Sequence, residues 1–265
     1  MILICRTIEQ FQSGKFTLTG QWDGPAQVDS GNKVPFPAVI FTHGFTGNRL
    51  ESRRMYARLS ARLASIGILT FRFDHRGCGE SEGDFLDFNA RGLLEDLDSA
   101  LAVFVSNPNV DLTRTAVVGY SLGGLSASYL THKRPDWLTA VLWAPVARPD
   151  IIRDRLATYP DFPNYPQRGY FDYGGYRVST EYFDHIGKLN SLEWIKNYTA
   201  EILIIQGDED PIVKPEQADL YLIARKNSDD KIVSIKKGDH GFGSADNIDF
   251  VLKTSEDWLA QKLLT

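Results

Sequence analysis

The run "AVVGYSLGGLSASYL", residues 116–130, joins an apolar, β-type stretch to a helix-like one through Gly119-Tyr120-Ser121-Leu122-Gly123-Gly124. Glycine inside regular structure costs roughly 0.5–1 kcal/mol relative to alanine, so this cluster needs a local reason. A backbone that turns sharply from strand to helix around one serine supplies it, with small residues at 119 and 123 averting backbone collision. The turn lifts the Ser121 hydroxyl to the helix N-terminus and makes it a candidate nucleophile. A serine hydroxyl is a poor nucleophile at neutral pH, so the chain must also provide a base and an acid that orients it. Taken alone, the stretch also fits a Gly/Ser turn without chemistry.

Outward from this turn, apolar strands alternate with amphipathic helices. "PAVIFTHGF" is an apolar run ending at His43-Gly44, "ILTFRF" covers 68–73, "TAVVGY" 115–120, "LTAVLWAP" 138–145, "EILIIQ" 201–206 and "KIVSI" 231–235. Helices are expected over 51–66, 90–105, 122–133, 215–225 and 246–262, on apolar residues such as Leu59 and Leu63, or Leu94, Leu97 and Leu101, at helical spacing. "ILICRTI" and "KFTLTGQW", separated by Gly14, read as an antiparallel pair at one edge. This alternation calls for a mainly parallel sheet covered on both faces. Ligand sites of such sheets lie beyond the carboxyl ends of the strands.

The rhythm breaks at residues 146–195, where no clear strand is expected and ten of fifty residues are aromatic. Aromatic density of this kind argues against a disordered linker. The segment reads as a folded lid or cap laid over the strand ends, most of its rings structural and a few lining a pocket. The chain accordingly divides into a core at 1–145, the insertion at 146–195 and a second core part at 196–265.

Composition bounds the function. The chain has 265 residues, 43% hydrophobic and 24% charged, with net charge -5. A basic surface for nucleic acid or anionic membrane is not implied. Two cysteines, Cys5 and Cys78, cannot build a disulfide framework, and no metal-ligand spacing appears. The opening "MILICRTIEQ" lacks a signal-peptide pattern and no run approaches the ~20 apolar residues of a membrane span, so a cytoplasmic protein is expected.

Of five histidines, His240 has the address of a base, in the Gly-flanked loop "GDHGF" after the last strand. His43 follows a strand in a glycine-bounded turn with a different role; His75, His132 and His185 read as structural. The acid should follow "EILIIQ", where Asp208, Glu209 and Asp210 are all open. Acyl transfer also needs two backbone N–H groups for the developing oxyanion. Leu122, after the nucleophile, supplies one, and Phe45, after His43-Gly44, the other.

"HGFTGN", "FRFDHRGCGESEGDF", "GYSLGG", "GDEDPIV" and "GDHGF", in this order, resemble the α/β-hydrolase superfamily, and within it the bacterial cinnamoyl and feruloyl esterases, a group also described as serine aminopeptidase-like. The resemblance implies an α/β fold with a mostly parallel eight-stranded sheet, helices on both faces and an inserted lid. It implies a Ser121–His240–Asp210 triad, with Asp210 chosen by its place in G-x-x-D-x-x-V, and an oxyanion hole from the Phe45 and Leu122 amides. It makes Arg76 an ion-pairing scaffold residue. The expected activity is a cofactor- and metal-free serine carboxylesterase acting on small esters, with aromatic acyl groups such as hydroxycinnamates among the candidates. An aminopeptidase or amidase, a thioesterase and an acyltransferase are the alternatives on the same scaffold. An aminopeptidase would need an anion for the substrate amine, for which Glu80, Glu82, Asp84 and Asp87 are available in "GESEGDFLD". A non-catalytic ligand-binding protein is a further alternative, disfavoured because every part of the machinery is present. A homodimer is compatible with the resemblance.

Overall fold

The central strands are apolar on both faces because each face meets its own helical layer. Along 36–42, Ala38 and Ile40 enter one core while Val39 and Phe41 enter the other. The same alternation sends Val117, Ala140, Leu142, Ile202 and Ile204 to the first core, and Val118, Val141, Trp143, Leu203 and Ile205 to the second. Period-two patterning thus builds a sheet between two cores.

The computed structural model describes residues 4–26, 34–156, 158–159 and 162–265; the tip of the N-terminal run and the Tyr165 ring, both part of the sequence reading, lie outside the described residues. The elements are β1 (Ile4–Ser13), β2 (Phe16–Pro25), β3 (Phe36–Thr42), α1 (Met55–Ser65), β4 (Leu69–Phe73), α2 (Ala90–Ser106), β5 (Val110–Tyr120), α3 (Leu122–Lys133) and β6 (Thr139–Trp143). Then come α4 (Pro149–Leu156), α5 (Tyr165–Arg168), β7 (Tyr170–Tyr173), β8 (Tyr176–Ser179), α6 (Thr180–Ile186) and α7 (Ser191–Ile195). The chain closes with β9 (Ile202–Gly207), α8 (Glu216–Arg225), β10 (Lys231–Ile235) and α9 (Ala245–Leu263).

Eight strands form one sheet in the order β1-β2-β4-β3-β5-β6-β9-β10. β1 pairs antiparallel with β2 and β2 with β4; the remaining pairs are parallel. Helices α1 and α9 cover one face through Leu59, Leu63, Val251 and Leu259, and α2, α3 and α8 the other through Leu97, Phe104, Leu125 and Tyr221.

An ionic network ties the loop after β4 to α2. Arg76 donates from Nε to Asp96 at 2.9 Å and from its terminal nitrogen to Asp96 and Glu95 at 2.7 Å each. Arg76 is therefore an ion-pairing residue, as expected. The acidic side chains of "GESEGDFLD" are engaged locally. Glu80 pairs with Arg49, Glu82 accepts the Thr17 N–H at 2.7 Å, and Asp84 and Asp87 cap a short helical turn over 85–87.

One expectation is corrected. The segment 146–195 is not free of strands: β7 and β8 form an antiparallel hairpin, with Phe171 opposite Val178 and both side chains buried. Its turn is Gly174-Gly175, at φ +58° and +91°. A Gly-Gly pair between short alternating runs is a hairpin signal, here obscured by strands only four residues long.

Candidate active site

Beyond the carboxyl end of β5 the chain turns at Ser121, which adopts φ 57°, ψ -118° as the residue before α3. Such a conformation costs a non-glycine residue about 1–3 kcal/mol and persists only where the surroundings enforce it. They do so here. The Ser121 N–H donates to Trp143 O at 2.9 Å, and the Ser121 carbonyl accepts from Gly124 N at 2.9 Å and Val146 N at 3.0 Å. Glycine is obligatory on either side. A Cβ at Gly119 would lie 2.2 Å from Gly123 O, and one at Gly123 only 1.8 Å from Thr42 O.

His240, in the loop after β10, brings Nε2 to 3.0 Å from Ser121 Oγ and Nδ1 to 2.7 Å from Asp210 Oδ2. Asp210, in the loop after β9, also accepts Ile212 N at 2.8 Å and Val213 N at 3.0 Å on Oδ1, and Gln206 Nε2 at 3.2 Å on Oδ2. Its exposed neighbours Asp208 and Glu209 do not reach the imidazole, which leaves Asp210 as the acidic partner. Tyr120 packs under the imidazole with ring centroids 5.1 Å apart, and its hydroxyl donates to His240 O at 2.8 Å. The structure thus joins three side chains that lie 119 and 30 residues apart in the chain.

A cavity of about 420 Å³ opens in front of Ser121. Ser121, Leu122, His240, Phe45, Glu51 and Tyr120 line its floor, and Leu156, Tyr159, Tyr173, Tyr182 and Ile212 its walls. The Leu122 N–H belongs to the first turn of α3, where backbone donors have no intrahelical acceptor. Phe45 follows Gly44 on the opposite side, and its ring stacks on Tyr182 at 4.9 Å. Of the insertion's described aromatics, Tyr159, Tyr173 and Tyr182 reach the cavity, whereas Phe171 and Phe183 pack among other rings.

Two residues that sequence reasoning left without a role brace the turn bearing Phe45. His43 is buried, and burial pushes its imidazole pKa down to about 3, with His75 lowering it further and the Gly44 carbonyl and Asp96 opposing. Its Nε2 accepts the His75 N–H at 3.1 Å, so the ring proton sits on Nδ1 and is donated to Gly44 O at 2.9 Å. Glu51 accepts the Gly44 N–H at 2.9 Å and the Ser52 N–H at 3.0 Å. Burial raises its carboxyl pKa above the ordinary value against the pull of both amides and of His240. The glycine after His43 was a visible signal for the first. Nothing in the sequence points to the second, which reaches the cavity only through an unusual backbone turn.

Among the described residues no group of three or more His, Cys, Asp or Glu side chains is arranged for a metal ion, and no helix is long and apolar enough to cross a membrane.

Comparisons with known proteins agree with this architecture. The family model described as "Serine aminopeptidase, S33" matches residues 34–160. The chain is 27% identical over 190 residues to protein bem46 of Schizosaccharomyces pombe, covering 68% of this chain but 54% of that protein, so it spans about half the relative's length. It is 24% identical over 245 residues to the mouse mitochondrial palmitoyl-protein thioesterase ABHD10, covering 86% of this chain and 77% of that one. Among solved structures, Est1E of Butyrivibrio proteoclasticus with bound ferulic acid superposes with a TM-score of 0.83 at 23% identity, over 97% of this chain and all of the other (100%). The chain has the α/β-hydrolase fold.

Proposed function

We propose that the protein is a serine carboxylesterase that hydrolyses small esters, with aromatic acyl groups preferred, through an acyl-enzyme on Ser121. The observation that carries this reading is the hydrogen-bonded series Ser121–His240–Asp210, at 3.0 and 2.7 Å, opening onto an aromatic-walled cavity. His240 Nε2 takes the Ser121 proton as Oγ attacks the ester carbonyl. Asp210 holds Nδ1–H and favours the imidazolium. The carbonyl electron pair collects on oxygen, where the Leu122 and Phe45 amides receive it, each worth about 2.7–4 kcal/mol in comparable sites. Collapse expels the alcohol, which takes its proton from His240. Water, deprotonated by the same nitrogen, then adds to the acyl carbon, and Ser121 Oγ leaves with that proton as the acid is released. No step calls on a metal or organic cofactor.

Tyr159, Tyr173 and Tyr182 support the aromatic preference, since offset or edge contacts between rings add about 0.5–1.5 kcal/mol to the gain from burial. In this reading residues 146–195 act as a lid that shapes the acyl slot. The aminopeptidase alternative has less support, because Glu80, Glu82, Asp84 and Asp87 are engaged by Arg49, Thr17 and each other. A thioester is the second substrate class to test, given the name of the mouse relative.

Ser121→Ala is expected to lower turnover of p-nitrophenyl acetate by roughly 10⁴-fold or more while the melting temperature holds. Retained turnover removes the nucleophile assignment. A panel of acetate, butyrate, hydroxycinnamate and thioester substrates reads the acyl preference, and equal kcat/KM for aromatic and short aliphatic esters counts against an aromatic slot.

A further inference from the structure

We propose that Glu51 is a positioning residue of the candidate site, its carboxylate fixing the turn from which the Phe45 N–H faces the developing oxyanion. This inference rests on the serine-hydrolase reading and adds a role to a residue that neither the sequence pattern nor the comparisons single out.

The argument starts at Gly44. A Cβ there would lie 3.3 Å from Tyr120 O and 3.4 Å from Ser121 Cβ, so the chain passes the nucleophile turn too closely for a comfortable side chain. Glycine solves the steric problem and creates a second one, because its own φ and ψ are free to rotate. Phe45 N belongs to the Gly44–Phe45 peptide, so any rotation about Gly44 swings the donor away. Both peptides flanking Gly44 are therefore pinned from outside. On the far side, Gly44 O accepts from His43 Nδ1 at 2.9 Å and Gly47 N at 3.0 Å. In a planar trans peptide the N–H points opposite to the C=O, so holding this carbonyl aims the Phe45 N–H the other way. On the near side, Gly44 N–H is held by Glu51 Oε2 at 2.9 Å.

Glu51 adopts φ 59°, ψ 167°, a region that is essentially glycine's own. Arg53 and Arg54 follow at φ 51° and 59°. A glutamate held there, followed by two more left-handed residues, marks a turn kept for what its side chain does. The carboxylate fits closely, since a Cβ at Gly47 would lie 3.0 Å from Oε2 and 3.1 Å from Oε1. No cation pairs with it among the described residues, so its partners are the two backbone amides of Gly44 and Ser52. The same turn extends to the base, because Arg53 donates to Gly241 O at 3.0 Å, next to His240.

The backbone strain supplies the test. Glu51→Gly removes the carboxylate and relieves the strain, whereas Glu51→Ala removes the carboxylate and keeps the strain. In the full chain, both variants are expected to lose kcat on p-nitrophenyl acetate by a similar factor, on the order of 10- to 100-fold, with KM nearly unchanged. Glu51→Gly should nevertheless melt at or above the temperature of Glu51→Ala. Affinity for an aryl trifluoromethyl ketone should fall by the same factor as kcat/KM. That adduct forms when Ser121 Oγ bonds the ketone carbon, the carbonyl pair becomes an oxyanion and the hydroxyl proton passes to His240. A purely structural glutamate would give activity that follows melting temperature, with Glu51→Gly recovering it. That pattern, wild-type kcat in either variant, or a loss confined to KM would overturn the proposal. Amide hydrogen exchange at Gly47, whose N–H holds the Gly44 carbonyl, needs no turnover and should speed up tenfold or more in both variants; unchanged exchange also overturns it. A wild-type chain that hydrolyses no ester would instead defeat the serine-hydrolase reading, with the exchange measurement still deciding the role of Glu51.

Discussion

The rim of the sheet and the insertion at 146–195 both border the cavity, yet different forces hold them. At the rim, backbone hydrogen bonds and glycine contacts fix each group: Ser121 through Trp143, Gly124 and Val146, and Asp210 through Ile212 and Val213. In the insertion, rings pack on rings. Phe171 meets Tyr159, Phe162, Tyr173 and Phe183, while Tyr176 and Tyr182 dock on Phe85 and Phe45 of the core. Hydrogen bonds are directional and short, so the rim is suited to placing atoms for chemistry. Ring packing is less directional and tolerates rearrangement, so the insertion is the more compliant of the two borders.

The sharpest way to break this contrast is Gly123→Ala. Its Cβ would enter the Thr42 carbonyl, and neither backbone can yield without dismantling the strand–helix junction. A loss of more than about 4 kcal/mol is expected, seen as absent soluble protein or a collapsed thermal transition by circular dichroism. A folded, active variant would show the rim to be more compliant than its contacts imply.

Phe171→Ala tests the other half. Truncating a buried phenylalanine removes about 3–5 kcal/mol of packing, here confined to ring partners in the insertion. Limited proteolysis should then cut within 146–195 first. Hydrolysis of p-nitrophenyl acetate should stay within about threefold of wild type, because local opening leaves the rim intact. Bulky aromatic esters should suffer more. Equal losses on both substrates would mean that the insertion also positions the rim.

Acid separates the two regions more gently. His43 has a folded pKa of about 3 against an ordinary 6.5, so between these values the unfolded chain binds a proton that the native rim excludes. Stability therefore falls as pH drops below 6.5, by about 1.4 kcal/mol per unit, or about 2 kcal/mol at pH 5. Denaturant melts at pH 7 and 5 measure it, and His43→Gln should flatten the difference. The Phe171 ring cluster carries no such group, so proteolytic protection of 146–195 should change little over the same range.

Much of this was legible in the chain. Strand 231–235 and helix 122–133 were readable to the residue, because turn-forming residues bound them, Asp229-Asp230 before the strand and Gly119 to Ser121 before the helix. Ser121 was readable from the glycines clustered around it between a strand and a helix, and His240 from its place after the last strand. The acid was not, since Asp208, Glu209 and Asp210 share one loop; only the family pattern favoured Asp210, and the fold distinguishes it by burial and by its hydrogen bond to His240. The hairpin β7–β8 was missed because four-residue strands leave too few positions for alternation to register.

By itself, then, the sequence determined the layered α/β order and the place of the strand–helix turn at Ser121, because hydrophobic period and glycine sterics act over a few neighbouring residues. Only the tertiary structure decided which carboxylate meets His240, which tyrosines face the cavity, and that His43 and Glu51 brace Gly44 from opposite sides. Those outcomes depend on the directions in which separate loops leave the sheet, and hydrogen-bond directions set by packing leave no periodic trace in the chain.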